Sequence, residues 1–217
     1  MNSSHSFAAH YDGAFEVDAI EAWAKKTYHE FPGEEISLGL VFITPQFFDH
    51  ASDILEILRV HARIPLLVGC SSRSLIANAQ ELDDSSGLVV SLHHLPNTQL
   101  NAFHFTQEQV GQGDEVDFWR KQTGIEDCNG WLVFSDPFHI DGEHWLHQWN
   151  NNWPKSPVLG GLAVGAQNDQ RTQVYLNGEV YEEGGVALSF EGEVALCSIV
   201  SQGCTPIGET WTITRAE

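Results

Sequence analysis

The chain has 217 residues, 42% hydrophobic and 18% charged, enough apolar material for one large domain or two small halves. Ten Lys and Arg stand against thirty Asp and Glu, a net charge of −20. With no basic cluster, this excludes a nucleic-acid footprint and disfavours anionic membrane surfaces.

No apolar run approaches the roughly 18 residues of a membrane span. Met1–Ala9 lacks the basic region and apolar core of a signal peptide, so a cytoplasmic protein is expected. Cys70, Cys128, Cys197 and Cys204 are too few and too scattered for a disulfide framework and are expected to be reduced.

In chain order, residues 1–12 are polar and read as a frayed end. Val17, Ile20, Trp23, Ala24, Tyr28 and Phe31 recur at helical spacing, and Pro32-Gly33 ends that helix. Ile36–Ile43 is a continuous apolar run, the mark of a strand buried on both faces. Thr44-Pro45 then opens an amphipathic helix that runs to about Ala62. Pro65–Gly69 is the next strand, and so short a β-α-β unit implies two parallel strands. Gly87–His93 is a further strand, Gln99–Thr106 an edge strand, and Asp114–Gln122 a weaker helix.

The pattern then returns. Trp131–Ser135 is a strand, Asp136-Pro137 stands where Thr44-Pro45 stood, residues 142–153 form a helix, and Pro157–Gly161 is a strand. At an offset of 92, Leu40, Val41, Phe42, Pro45, Asp49, Pro65, Leu67 and Gly69 fall on identical residues. After an insertion the offset becomes 98, placing Gly87 on Gly185 and Ser91 on Ser189. These coincidences read as an internal duplication of a β-α-β-β module. Asn177-Gly178 signals a type I′ hairpin, Glu191-Gly192 a second hairpin, and residues 203–214 the beginning of a new strand that looks cut short.

The stretch Pro65-Leu-Leu-Val-Gly69-Cys70-Ser71-Ser72-Arg73-Ser74 delivers small polar residues to a strand end. Such a loop can receive a carboxylate or similar ligand through backbone N–H groups, the hydroxyls and Arg73; it can equally be a strand end with its own turn. Gly69, Cys70, Ser71, Ser72, Arg73 and Ser74 are therefore the candidate ligand-binding residues. At the repeated position, Gly161-Leu-Ala-Val-Gly165 keeps glycines and lacks the hydroxyls.

Leu40-Val-Phe-Ile-Thr44, Asp49-His50, Gly69-Cys70-Ser71-Ser72 with Leu75-Ile76, and Glu81 followed by Gly87-Leu-Val-Val-Ser-Leu together resemble the N-terminal half of the FIST domain. Gly203-Cys204-Thr-Pro206-Ile207-Gly208-Glu209 resembles the family's hinge into its C-terminal half. The resemblance covers roughly residues 16–217. It implies a sensory, small-ligand-binding input domain of bacterial signal transduction, with no catalysis. It also implies an output partner such as a histidine kinase and, as in some bacterial members, haem that senses nitric oxide. Arg73-Ser74 departs from the family's glycine at that turn. The expected organisation is a flexible end over 1–15, a FIST N-like domain over 16–202 with repeats at about 36–93 and 128–190, and the start of a truncated C-terminal half over 203–217.

Other constellations weigh less. A hydrolase using Cys70 or Ser71 is a further alternative, but no spaced nucleophile motif is present, Cys70 as a nucleophile needs a base, and His50, His93 and His94 cannot be placed from sequence. His144 and His147, near His139, share a helical face and would suit Zn²⁺ or a haem iron, but no Cys or carboxylate completes a recognised pattern. Of His93-His94, at most one faces the core. Asp83-Asp84 and Glu182-Glu183 read as solvated turn acids. Trp145, Trp149 and Trp153 form one core-packing stripe. The fold expected is α/β to α+β: two related modules, mixed sheets covered by helices, of which an αββα-type layered sandwich is one form.

Overall fold

In a computed structural model the chain is described at residues 4–82, 86–166 and 170–199, and at Gly203, Gly208, Thr212 and Arg215. Two sheets carry the architecture. The first has the order β1-β6-β2-β3-β10-β11, from β1 (His5–Tyr11), β6 (Leu88–His94), β2 (Leu38–Ile43), β3 (Leu67–Ser71), β10 (Val174–Leu176) and β11 (Glu179–Tyr181). The second has the order β7-β12-β8-β9, from β7 (Thr98–Phe105), β12 (Gly185–Gly192), β8 (Gly130–Ser135) and β9 (Val158–Leu162). A small hairpin, β4 (Leu75–Ala77) and β5 (Gln80–Leu82), stands apart from both.

The sheets pack face to face. Val68, Cys70, Leu38 and Val174 of the first meet Phe134, Val186, Leu188 and Phe190 of the second in one buried cluster. Phe42 and Phe134 cross edge to face at 5.5 Å. Helices α1 (Val17–Glu30) and α2 (Ala51–His61) cover the outer face of the first sheet through Ile20, Ala24, Ile54, Leu55 and Leu58. Helices α3 (Gln107–Gln112), α4 (Phe118–Thr123) and α5 (Gly142–Asn152) cover the second through Val110, Trp119, Trp145 and Trp149. The result is an α+β sandwich of four layers, helices outside and sheets within.

The two modules agree in strand order and direction. β2 lies antiparallel to β6 and parallel to β3; β8 lies antiparallel to β12 and parallel to β9. The register corrects the sequence alignment by one residue. Val41 faces Gly69, and Val133 faces Gly160, so the counterpart of Gly69 is Gly160 rather than Gly161. Both glycines are forced by the close approach of the parallel neighbour: a Cβ on Gly69 would stand 1.8 Å from the Val41 carbonyl oxygen, and one on Gly160 1.7 Å from that of Val133. Likewise Gly87 corresponds to Gly184, since Ile43 faces Leu88 and Ser135 faces Gly185.

Several expectations change. Residues 5–11 are strand β1, paired with β6 along its whole length, so the N-terminal stretch is not frayed there. The helix expected over 114–122 begins only at Phe118, as the short α4, and an unexpected short helix, α3, precedes it, started by a Thr106–Gln109 capping box. Glu191-Gly192 is no hairpin turn: β12 runs through both residues because it is held between β7 and β8. At the β10–β11 turn only Asn177 has positive φ (56°), so the turn is not type I′. The strand expected after Gly203 and the pair Asp83-Asp84 lie outside the described residues. Among the described residues, no helix is long and apolar enough to cross a membrane.

Candidate functional site

The C-terminal ends of the parallel strands β2, β3, β8 and β9 come together at one end of the sandwich. Parallel strands direct the residues that follow them to this edge, where open α/β sheets hold their ligands. The two sheets are joined there directly: the Val164 N–H, just past β9, donates to the Ser71 carbonyl at the end of β3 (3.0 Å). Residues 172–173 make the second bridge. The Gln173 N–H donates to Ser71 Oγ (3.0 Å), and Thr172 Oγ1 donates to Asp136 Oδ1 (3.0 Å). Thr44, Ser71, Asp136, Thr172 and Gln173, all polar, are buried at this junction.

Asp136 organises the β8 side. Its carboxylate accepts the N–H groups of Phe138 (2.9 Å) and His139 (3.1 Å), the Thr172 hydroxyl, and the ring Nδ1 of His139. The acid is buried while its histidine is about half exposed. A carboxylate bound to Nδ1 fixes the ring and directs Nε2 away. The corresponding position after β2 is Thr44, whose hydroxyl exchanges hydrogen bonds with the Gly87 backbone (2.9 and 3.0 Å). Nearby, Arg171 bridges Asp49 (3.1 Å) and Glu182 (2.7 Å) and lies over the Phe48 ring at 5.5 Å.

The six residues expected to form the site separate into two groups. Gly69, Cys70 and Ser71 are internal. Gly69 allows the strands to approach, the Cys70 side chain enters the core between the sheets, and the Ser71 hydroxyl is taken by the Gln173 backbone. Ser72, Arg73 and Ser74 form the loop beyond, with Arg73 and Ser74 exposed and Ser72 Oγ donating to the Ser74 carbonyl (2.6 Å). Burial pushes the Cys70 thiol up to about 12, so at neutral pH it is not the thiolate, the form in which a cysteine attacks. Cys128 is also pushed up by burial, and both are free thiols, as is exposed Cys197.

The histidines divide similarly. His94 is the inward member of its pair, its Nδ1 on the Glu35 carbonyl (2.8 Å). His93 is partly buried, and desolvation lowers its pKa. His144 pairs with Asp114 (3.2 Å), and with His147 it lines a shallow pocket walled by Asp141 and Glu143. A second described pocket, between α1 and α2, is lined by His61, Glu21, Asp53 and Glu56 together with Val17, Ile57 and Val60. The carboxylates in both linings do not suit the anionic propionates of a haem. Among the described residues no group of three or more His, Cys, Asp or Glu is arranged to hold a metal ion.

The architecture and this polar junction define a mixed α+β domain of two like modules that meet at their strand ends. The FIST N domain family's profile matches residues 37–217, and the chain belongs to that family, whose members are sensory domains of signal transduction. It is similar to Uncharacterized protein Rv0628c of Mycobacterium tuberculosis, at 26% identity over 92% of this chain and 52% of that protein. It is also similar to Uncharacterized protein Mb0898c of Mycobacterium bovis, at 27% identity over 92% of this chain and 50% of that protein. The chain thus spans about half the length of the curated relatives it matches.

Proposed function

We propose that this chain is the ligand-binding half of a cytoplasmic sensory domain, and that it takes a small carboxylate-bearing molecule, such as an amino acid, without turning it over. The observation that carries the reading is the polar junction where the ends of β3, β8 and β9 are bonded together. A rigid frame of buried hydrogen bonds presents the groups of the 72–74 loop and the His139 ring to one region. In a protein of net charge −20, the 72–74 loop brings the Arg73 guanidinium to this end, the kind of group that receives a carboxylate. The ligand contacts fall to Ser72, Arg73 and Ser74; Gly69, Cys70 and Ser71 support them from beneath. The agreement of the two modules in strand order is consistent with an internal duplication in which only one copy kept hydroxyls at its strand end. An output partner such as a histidine kinase would read the ligand state.

The test is a thermal-shift screen of amino acids and small organic acids at millimolar concentration. Ligand present at about 100 times its Kd should stabilise the fold by about 2.7 kcal/mol. The Arg73→Ala variant should keep the melting temperature of the free protein and lose the shift. A well-folded chain that responds to none of the acids would refute the reading.

A further inference from the structure

We propose that the outer edge of β9 is a strand-docking edge, and that its occupant is the β4–β5 hairpin of a second copy of this chain. The argument begins with the way β3 is finished. In a parallel pair, alternate residues bond to alternate sides. Leu66 and Ser72 bond to β2, while Leu67 and Ser71 bond to β10 through Asn177 and Gln173. In the second module Pro157 and Ala163 bond to β8. By the same alternation Val158, Gly160 and Leu162 turn their N–H and carbonyl groups outward. Among the described residues no strand pairs with that side, and β9 ends its sheet. Val158–Leu162 carries no charge, and Gly160, Gly161 and Leu162 are exposed, without the charged residues that ordinarily protect an edge strand.

The hairpin that covers β3 has a twin. β4–β5 repeats β10–β11 at an offset of 99: three residues, a two-residue turn, three residues, with Asn78 and Asn177 both at φ 56°. β10–β11 belongs to the second module and crosses to finish the first module's sheet. β4–β5 belongs to the first module, and among the described residues it finishes no sheet, since β4 pairs there with β5 alone while Leu75 and Ala77 rest on Val89. The donor and the acceptor of the missing pairing are therefore both present on one chain.

Three exposed apolar side chains mark the same missing contact. Ile76, 72% exposed, stands where buried Tyr175 stands in the twin hairpin. Leu162, 61% exposed, stands where buried Ser71 stands on β3. Leu146, 41% exposed on α5, stands where Leu55 stands on α2, and Leu55 and Tyr175 share one buried cluster. Transferring the β10–β3 register sets Ile76 opposite Gly160 and Leu75 opposite Gly161, with the absent Gly160 side chain leaving room for Ile76. The ends of β3 and β9 touch within one chain, so the donor hairpin and the open edge lie at the same end. Two copies can then exchange hairpins reciprocally about a two-fold axis, which closes the assembly as a dimer.

Sedimentation velocity on the 217-residue chain tests this, run at about 0.15 M salt to screen the repulsion between two acidic copies. The expected species has twice the chain mass of 24.1 kDa. Ile76→Lys should give a monomer with unchanged far-ultraviolet circular dichroism. Leu162→Pro should do the same, because it deletes only an outward N–H. The combined I76K/L162E chain should return to a dimer. A wild-type chain that stays monomeric as concentration rises overturns the proposal. A dimer that survives I76K but not L162P would mean β9 pairs with itself, which overturns the hairpin as occupant.

Discussion

The two outer layers of the sandwich solve one packing problem with different materials. Over the first sheet the core is aliphatic, built on Ile20, Ile54, Leu55, Leu58 and Leu67. Over the second it is aromatic, with Trp119, Trp131, Trp145, Trp149 and Trp153 packed on Phe105. The strand order and directions are nonetheless the same. Volume and patterning therefore set the module, and residue identity is free to vary within them. What does not vary is the backbone geometry at Gly69 and Gly160, where a parallel neighbour leaves no space for a Cβ.

That comparison is broken most severely at those glycines. Gly160→Ala sets a methyl 1.7 Å from a carbonyl oxygen and strains a residue at φ 151°, and it should cost about 4 kcal/mol or more. Gly69→Ala should be nearly as harmful, at ordinary φ. Gly161→Ala meets nothing within 4 Å and should stay within about 0.5 kcal/mol of wild type. Urea unfolding of the three variants checks the order. If Gly161→Ala were the severe one, the one-residue register difference between the modules would be wrong.

A smaller effect separates Asp136 from its counterpart Thr44. Asp136→Ala strips acceptors from two backbone N–H groups and the Thr172 hydroxyl and releases His139, so a loss of about 3 kcal/mol is expected. Thr44→Val disturbs one local exchange with Gly87 and should cost about 1–2 kcal/mol. Chemical denaturation of both gives the difference, and equal losses would mean the Asp136 network adds nothing to the junction.

The smallest effect belongs to His93, at the end of β6. Burial lowers its pKa below the ordinary 6.5, so the unfolded chain binds its proton more readily. Its contribution to stability is complete above pH 6.5 and is lost as pH falls through the lowered folded-state value. His93→Gln should flatten the acid side of the urea-midpoint profile and leave the neutral side nearly unchanged. An identical acid slope in the variant would assign the effect to other groups.

Much of this architecture is legible in the residues. The unbroken run Ile36–Ile43 announces a central strand, and β2 indeed lies between β6 and β3. The Trp145–Trp149–Trp153 stripe announces a core face. β1 escapes because His5–Tyr11 alternates only weakly and lies at the sheet edge, partly buried along its length. The continuation of β12 through Glu191-Gly192 escapes because a turn dipeptide carries no information about the strands on either side. At the site, hydroxyl-bearing residues are visible in sequence, but the direction of each side chain is not: Ser71 turns inward to the Gln173 backbone while Ser72 caps its own loop. The Asp136–His139 pair was within reach. Asp136-Pro137 was visible as the echo of Thr44-Pro45, and an aspartate three residues before a histidine in a turn is a local hydrogen-bonding signal.

The five clustered indoles have a spectroscopic consequence. Their ring centroids lie 4.7 to 5.2 Å apart along the network through Trp149. At such separations the transition dipoles couple, and excitation migrates among the rings before any of them emits. The first module's helix layer contributes Trp23. Ultraviolet emission and the exciton signal in circular dichroism are therefore dominated by one outer layer, an unlabelled optical reporter. Set against a backbone signal that averages both modules, it distinguishes concerted unfolding from the sequential release of two half-sandwiches.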